Sequence, residues 1–418
     1  MVPIFQKAFW GQIGRWIFYS LTFPPLFFAL LLNILWKKAI PTIDLKEIKQ
    51  VLVIRLDQIG DVIMTIPFLR ELKRNMPNAH ISLIVRKETF NLVECCPYVD
   101  DIMIFDFNTR DYWGKFLNYF VHLYHALRLS SQHLRPRGFQ LAIIPRSDAD
   151  YYLGTFISYL SGSPRRVGFD ENFYPWKRIY NPTFNSLLTH IIGNTLPQHE
   201  VQNSLGVIRF LKGDIQDENI EMWFNEKDFQ FERQFVSEFQ ITSQDFLIAL
   251  GTGANDGRRI WPMKNFIEIA RVLLGQYKAK FLLIGGPSDQ SLARDFIEQF
   301  PQVSVDLTGK TTLRQAIIAM KNCRLFLGND SGPMHLASAA GIPVVEISCH
   351  PLNGKPWHPN SPKLYGPWRV PSRVVQHRSG LGNCLEGCRE HHPHCITQIR
   401  VHDVLSAVNE ILADSSND

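Results

Sequence analysis

A surplus of charge of one sign is missing from this sequence. Its 44 lysines and arginines nearly balance its 39 acids, and the formal net charge of +5 is spread thinly along 418 residues. No basic stripe with interleaved aromatics occurs, which argues against a nucleic-acid partner. The mild positive balance suits an anionic substrate or an anionic membrane surface. Cysteine is scarce as well. There are seven, an odd number, and no secretory leader is expected before them. A disulfide scaffold is therefore not expected, and a reducing compartment is. Nor does the chain have the apolar poverty of a disordered protein. At 45% hydrophobic and 20% charged it has a globular profile, and its length allows two domains.

Charge is absent altogether from Trp16 to Trp36, "WIFYSLTFPPLFFALLLNILW". That is about the length a membrane span needs. Lys7 and Arg15 stand before it, Lys37 and Lys38 after it, and no A-x-A-like cleavage site follows. Pro24-Pro25 removes two backbone donors and breaks a helix there. The longer arm, 26–36, would rise roughly 16 Å, about half a bilayer core. Positive charge on both flanks is expected when both face the cytoplasm. Residues 1–50 are thus expected to form a membrane-associated hydrophobic segment, as a re-entrant hairpin or a kinked span. An apolar helix packed on the protein itself is the plainer alternative.

After residue 50 strand-like and helix-like runs alternate. "VLVIRL" (51–56) ends in "DQIGD", and a helix is expected through "PFLRELKRNMP". The strands "HISLIVR", "DDIMIFD" and "QLAIIP" follow, with helical stretches at 111–134 and 151–162. A polar stretch around 212–240 reads as a connection plus a surface helix. The alternation then restarts with "DFLIALGTG", "KFLLIGG", "VSVDLTG", "RLFLGND" and "PVVEIS", each followed or preceded by a helix, and ends in a helix over 401–413. This is the grammar of parallel sheets covered on both faces. The expected architecture is α/β, two doubly wound halves, 51–240 and 241–418.

In open α/β sheets ligands bind beyond the carboxyl ends of the strands. In the second half that rule gathers Gly251-Thr252-Gly253, Gly285-Gly286, Thr308-Gly309 and Asp330-Ser331-Gly332 on one edge. Asp330-Ser331 is also what an ordinary helix cap looks like; four glycine-bearing tips together favour a ligand, with helix amides ready for a phosphate. His335 lies one turn further on, a candidate contact or a core histidine. "GTGANDGRRIWP" (251–262) is not a Walker sequence, and Asp256 stands where a third glycine would complete G-x-G-x-x-G. Its Arg258-Arg259 pair, at a strand tip, reads as an anion contact rather than a solvated pair. In the first half "RLDQIGDVIMTIP" (55–67) puts Gly60 and Asp61 at a strand tip. Asp61 is either an N-cap or a carboxylate facing the cleft as general base. Pro67 implies a helix that is kinked or begins late.

"CLEGCREHHPHC" (384–395) packs three cysteines and three histidines into twelve residues. The density suits zinc, with Cys384, Cys388 and Cys395 as candidate ligands, although the spacings match no standard finger. Buried thiols or a disulfide are the alternatives.

These residues together resemble glycosyltransferase family nine, the ADP-heptose:lipopolysaccharide heptosyltransferase family. The likeness covers about residues 51–412. It is carried by "IRLDQIGDVIMTIP", "RRIWP", "FLLIGGPSD" and "FLGNDSGPMHLASAAGIPVV", with weaker marks at "PRRVGFD" and "HEVQNSLGVIRFL". The resemblance implies a GT-B fold, donor nucleotide on the second half, acceptor on the first, inversion at the sugar and no essential metal or other cofactor. It makes Asp61 the catalytic base. It places Arg259 on the donor phosphates, and Asp330, Ser331, Gly332 and His335 on sugar and diphosphate. Gly251, Thr252, Gly253, Gly286 and Asp289 also fall on the donor side, Asp289 near a ribose. Gly60, Arg165 and Arg166 fall on the acceptor side. Ser331 stands where threonine is commoner, and the hydrophobic leader is not a general family feature. The expected activity is transfer of a heptose or related sugar from a nucleotide diphosphate to a lipid-linked or envelope glycan, at the cytoplasmic face of the inner membrane. A GT-B sugar-nucleotide epimerase and a non-catalytic membrane-tethered sugar-nucleotide binder are the alternatives.

Overall fold

Val51, Leu52, Val53 and Ile54 are all buried, although successive side chains of a strand point to opposite faces. A strand covered on both sides belongs to a parallel sheet sandwiched by helices. The computed structural model describes residues 41–105, 114–193, 198–381, 390 and 392–414. In it β1 (Gln50–Arg55), β2 (His80–Val85), β3 (Asp101–Ile104), β4 (Leu141–Ile143), β5 (Arg165–Phe169) and β6 (His190–Ile192) form one sheet, ordered β3-β2-β1-β4-β5-β6. A second sheet contains β7 (Leu247–Gly251), β8 (Lys280–Leu283), β9 (Ser304–Asp306), β10 (Leu325–Asn329), β11 (Val344–Ser348) and β12 (Ser372–Gln376). Its order, β9-β8-β7-β10-β11-β12, repeats that of the first. The pairings are parallel in both. The chain is thus two doubly wound Rossmann-like units, as the alternation of runs implied. The order reverses between β1 and β4 in one unit and between β7 and β10 in the other. Those are the two switch points where such sheets bind ligands.

Six helices shape the site and its surroundings: α1 (Ile59–Asn75), α2 (Glu200–Phe210), α3 (Glu226–Glu238), α4 (Leu313–Met320), α5 (Gly332–Ala340) and α6 (Val401–Asp414). α1 follows β1, and α5 follows β10. Pro333 presets the first turn of α5, and Gly341, at φ 77°, ends it in the left-handed conformation that glycine tolerates. α1 does not begin late. It begins before Val62, at Ile59, and runs through Pro67 without ending. The proline only removes one donor, and Val62, Ile63, Ile66, Phe68 and Leu69, all buried, hold the helix on its sheet.

One hydrophobic cluster runs from the first unit, through Ile63 and Phe68, into Ile317, Met334 and Leu336 of the second. Polar links cross the same boundary. Arg314 of α4, 2% exposed, donates from Nε to Asp228 of α3 (2.7 Å) and from Nη1 to the Asn91 carbonyl (2.6 Å). His199, capping α2, meets the Gly366 carbonyl through Nε2 (3.0 Å) and stacks on Trp368 at 4.4 Å. Among the described residues no helix is long and apolar enough to cross a membrane. The uncharged stretch 16–36 lies outside them.

Candidate active site

Both switch points carry buried polar groups, and the two helix starts beside them meet. A Cβ placed on Gly60 would lie 2.3 Å from the His335 ring, and one on Gly332 would lie 3.3 Å from Ile59. Gly60 is therefore glycine because the first turn of α1 packs directly on the side chain of α5. This contact sets Asp61, in the first turn of α1, opposite Asp330-Ser331 at the start of α5. Two helix N-termini, each the positive end of its dipole, converge there.

On the first side Arg55 organises the acids. It ends β1, is 1% exposed, and donates to the Pro145 carbonyl (2.7 Å) and to Glu200 Oε1 (3.0 Å). Asp57 stands 3.1 Å from its Nε, and Asp61 Oδ1 3.5 Å from its Nη2. Arg146, at the tip of β4, pairs with Asp57, and Trp176 donates to Asp148. Asp61 accepts from the Gln58 backbone at 3.1 Å, which completes a capping box. The N-cap of α1 is Gln58, not Asp61, which closes the box from the third helical position; its side chain, 23% exposed, is open to a ligand. Burial pushes its carboxyl up to about 6; Arg55 pulls it down, and Glu200 and Asp148 add to the rise. A carboxylate in that range can accept a proton near neutral pH. Beneath it Lys177 donates to the carbonyls of Ser147 and Phe169, and burial lowers its ammonium to about 8.

On the second side Trp261 is the anchor. Its side chain is fully buried, and its Nε1 donates to the Ile399 carbonyl at 3.0 Å. Asn329 accepts from the Trp261 backbone (3.0 Å) and donates to the Thr252 carbonyl (2.8 Å), tying β10, β7 and the arginine loop into one tip. This holds Arg259 over Asp330, with Nη2 2.6 Å from Oδ2. The Arg259 Nε is buried without a hydrogen-bond partner. Burial pulls the guanidinium down, but Asp330, Cys349 and Glu346 together more than offset it, so Arg259 stays charged. Arg258 instead grips Asp256, its Nε lying 2.9 Å from Oδ1. Ser331 caps α5 with no side-chain hydrogen bond to the helix. His335 is buried, and that burial lowers its imidazole to about 4, so it is neutral at pH 7. Glu346 of β11 lies behind this cluster with neither oxygen hydrogen-bonded. Burial first, then Asp330, pushes its carboxyl well up.

The sequence candidates sort accordingly. Asp61, Gly60, Arg259, Asp330, Ser331, Gly332 and His335 come together at the junction. Gly251, Thr252 and Gly253 form the β7 tip beside it. Gly286 and Asp289 lie one strand further out, at the β8 tip. Asp289 accepts from the Gly286 backbone at 2.9 Å, and its carboxylate abuts Gly253, so it acts as a loop cap. Arg165 and Arg166 do not join the cleft. They start β5, at the opposite end of the strands. Arg165 donates to the Thr42 carbonyl (2.6 Å) and Arg166 to those of Leu187 and Ser163 (both 2.7 Å). Cys384 and Cys388 lie outside the described residues, whereas Cys395 is described and buried. Arg55, Arg146, Asp148, Glu200 and Asn329 were missed. A charge closing an apolar strand was the available signal for Arg55.

Comparison with known proteins agrees with the motifs. Residues 185–376 match the family described as glycosyltransferase family 9 (heptosyltransferase). Lipopolysaccharide heptosyltransferase 2 of Salmonella typhimurium is 26% identical over 188 residues, 43% of this chain and 50% of that protein. The chain thus spans about half the length of that relative. Lipopolysaccharide heptosyltransferase 3 of Escherichia coli is 21% identical over 369 residues, 85% of this chain and 97% of that one. Among solved structures, a family 9 glycosyl transferase from Veillonella parvula DSM 2008 superposes with a TM-score of 0.70 at 21% identity. The match covers 90% of this chain and 100% of that chain, and it bears out the two-domain fold.

Proposed function

We propose that this chain, which carries a glycosyltransferase family 9 region, moves a heptose or closely related sugar from a nucleoside diphosphate to a glycan acceptor of lipopolysaccharide-core type. One observation supports this most: the start of α1, with Asp61, meets the start of α5, with Asp330 and Arg259, across two ligand-binding switch points.

Each residue then has a task. Asp61 takes the proton of the acceptor hydroxyl as that oxygen attacks the anomeric carbon. Its carboxyl is held by Arg55 and the Gln58 backbone, so its free lone pairs face the cleft. Attack from the acceptor side, with the diphosphate leaving toward the donor side, inverts the anomeric centre. Charge growing on the leaving diphosphate is met by Arg259 and by the first amides of α5. A diphosphate competes with Asp330 for the Arg259 guanidinium and offers an acceptor to its unpartnered Nε. Asp330, once released, is free to hold a sugar hydroxyl. Under this reading the reaction needs no metal at the anomeric centre. His335, neutral and wedged against Gly60, couples donor site to acceptor site.

The uncharged stretch 16–36 would hold the enzyme at the cytoplasmic face of the inner membrane, where a lipid-borne acceptor meets the cleft at high effective concentration. The test is a screen of nucleoside diphosphate sugars by thermal stabilisation, followed by a transfer assay on lipopolysaccharide-core acceptors. Binding raises stability by mass action, so ADP-heptose or a near relative is expected to shift the melting temperature and to release ADP only with acceptor present. No stabilisation by any nucleoside diphosphate sugar would defeat the proposal.

A further inference from the structure

β11 ends at Ser348, and the next residues are Cys349 and His350. The chain turns back through 351–361, so that His358 stacks on His350 with ring centres 5.0 Å apart. From the other side, the segment that leads into α6 brings up His394 and Cys395. Together with Arg258 these side chains line a cavity of about 20 Å³. A cavity of that size admits one small occupant, a water or an ion.

The hydrogen bonds inside it are of an unusual kind. His350 is 4% exposed, and its Nδ1 is buried with no partner. Its other ring nitrogen bonds the Lys355 backbone. Gly354 permits this, since a Cβ there would lie 2.4 Å from the ring. A histidine that donates one N–H to a carbonyl and keeps the other nitrogen bare is in the tautomer of a metal ligand. A water or a thiol proton could also face that lone pair, but two sulfurs share the cavity. The buried Cys395 Sγ accepts from the Leu381 backbone at 3.3 Å, and the Cys349 Sγ from Asn360 Nδ2 at 3.7 Å. Sulfur and imidazole donors around one small cavity are the donor set of a borderline-soft ion. His358 does not qualify as a ligand here. Its Nδ1 accepts from the Asn360 backbone (3.0 Å), so its proton sits on Nε2, and its role is to fix the plane of the His350 ring.

We propose that this cavity is a structural site for one divalent transition ion of the thiolate-and-imidazole class, zinc foremost. Cys349, Cys395 and His350 Nδ1 bind it, and His394 completes a tetrahedral set. Two thiolates cancel the charge of the ion, so a neutral site replaces a polar cavity beside Arg258. Among the described residues no three such donors yet stand at coordinating distance of one point. Binding must therefore draw them inward across a space of the ion's own size. The ion ties the 349–361 loop to the 394–395 segment. That segment leads into Ile399, whose carbonyl receives Trp261, so the ion stiffens the tip that carries Arg259. None of its ligands is a residue assigned to the transfer, and its existence does not depend on the transferase reading.

The experiment is elemental analysis of the untagged full-length protein, purified without chelator, beside three variants. About one zinc or iron per chain is expected, as in tetrahedral structural sites. The metal should be lost from His350→Ala and from Cys395→Ser and kept by Cys95→Ser, whose cysteine lies in the other unit. Cobalt exchanged into the wild type should give a sulfur-to-metal charge-transfer band. Where a variant fails to fold, the wild type still decides: stripping the ion with a chelator should lower its melting temperature, and zinc should restore it. Absence of both bound metal and the cobalt band overturns the proposal. So does stoichiometric metal that persists in His350→Ala and Cys395→Ser alike.

Discussion

Two adjacent arginines show how far a residue's neighbours decide its role. Arg258 and Arg259 are equivalent as letters. In the fold Arg258 is held by Asp256 two residues away, while Arg259 reaches over Asp330 and keeps an unpartnered Nε. A charge-assisted contact is worth about 1.5–3 kcal/mol, so Arg259→Ala should weaken nucleoside diphosphate binding about tenfold or more in a calorimetric titration. Arg258→Ala should leave that affinity within about twofold, since an exposed local ion pair contributes little. The reverse ranking would move the phosphate site. Glu346 extends the argument to a residue with no sequence signal at all. It sits in "PVVEIS" as one acid in an apolar strand. Burial and Asp330 push its carboxyl well up, toward the neutral acid, so Glu346→Gln, which imitates that form, should fold normally. Glu346→Lys should not, because an unpaired charge would then be buried, and a thermal melt separates the two.

The decisive elements are the two helix starts, and their contact has a direct test. At Gly60 a methyl group would collide with the His335 ring at 2.3 Å. Gly60→Ala should therefore force α1 and α5 apart. Turnover should fall well over tenfold while the affinity for nucleoside diphosphate, which the proposal assigns to the second unit, stays nearly unchanged. Equal loss of both would mean that Gly60 serves folding and not the junction. Much of this was legible in sequence. The runs 51–56, 245–253 and 324–329 name the central strands, and glycine with acid at their tips names the ligand edge. The strands β5, β6 and β12 were not legible. "RRVGF", "HII" and "SRVVQ" are short, partly charged and near sheet edges, where one-sided burial imposes no clear pattern. Arg165 and Arg166 were misplaced for the same reason. Without β5 there was no way to see that they begin a strand whose other end faces the cleft. Pro67 pointed to a late start as one of two readings, and buried packing overrode that one. The partnership of Gly60 with His335 spans 275 positions, and no local period encodes it.

For the whole molecule the question is how the leader relates to the cleft. Thr42, near the start of the described chain, is held by Arg165 at the start of β5, the end of the strands away from Asp61. If 16–36 anchor the chain as proposed, a lipid-borne acceptor sugar would have to stand off from the surface to reach Asp61. Removing residues 1–40 should leave donor binding and transfer to a water-soluble core glycan intact, and should depress transfer to the same glycan displayed on vesicles. Equal loss on both acceptors would assign the segment to folding. The central claim, however, is that Asp61 in the closed junction is the base of a glycosyl transfer, and the pH dependence of kcat/KM tests it most directly. The profile reports the free enzyme's own groups. Asp61 works when deprotonated, and its carboxyl is raised to about 6, so the rate should climb as pH rises through about 6 and level off above. In Asp61→Asn that rising limb should vanish and the plateau should fall by about 10²–10⁴, with donor affinity retained. An Asn variant that turns over at near wild-type rate with the same rising limb would contradict the account and leave Asp61 a capping-box residue and nothing more.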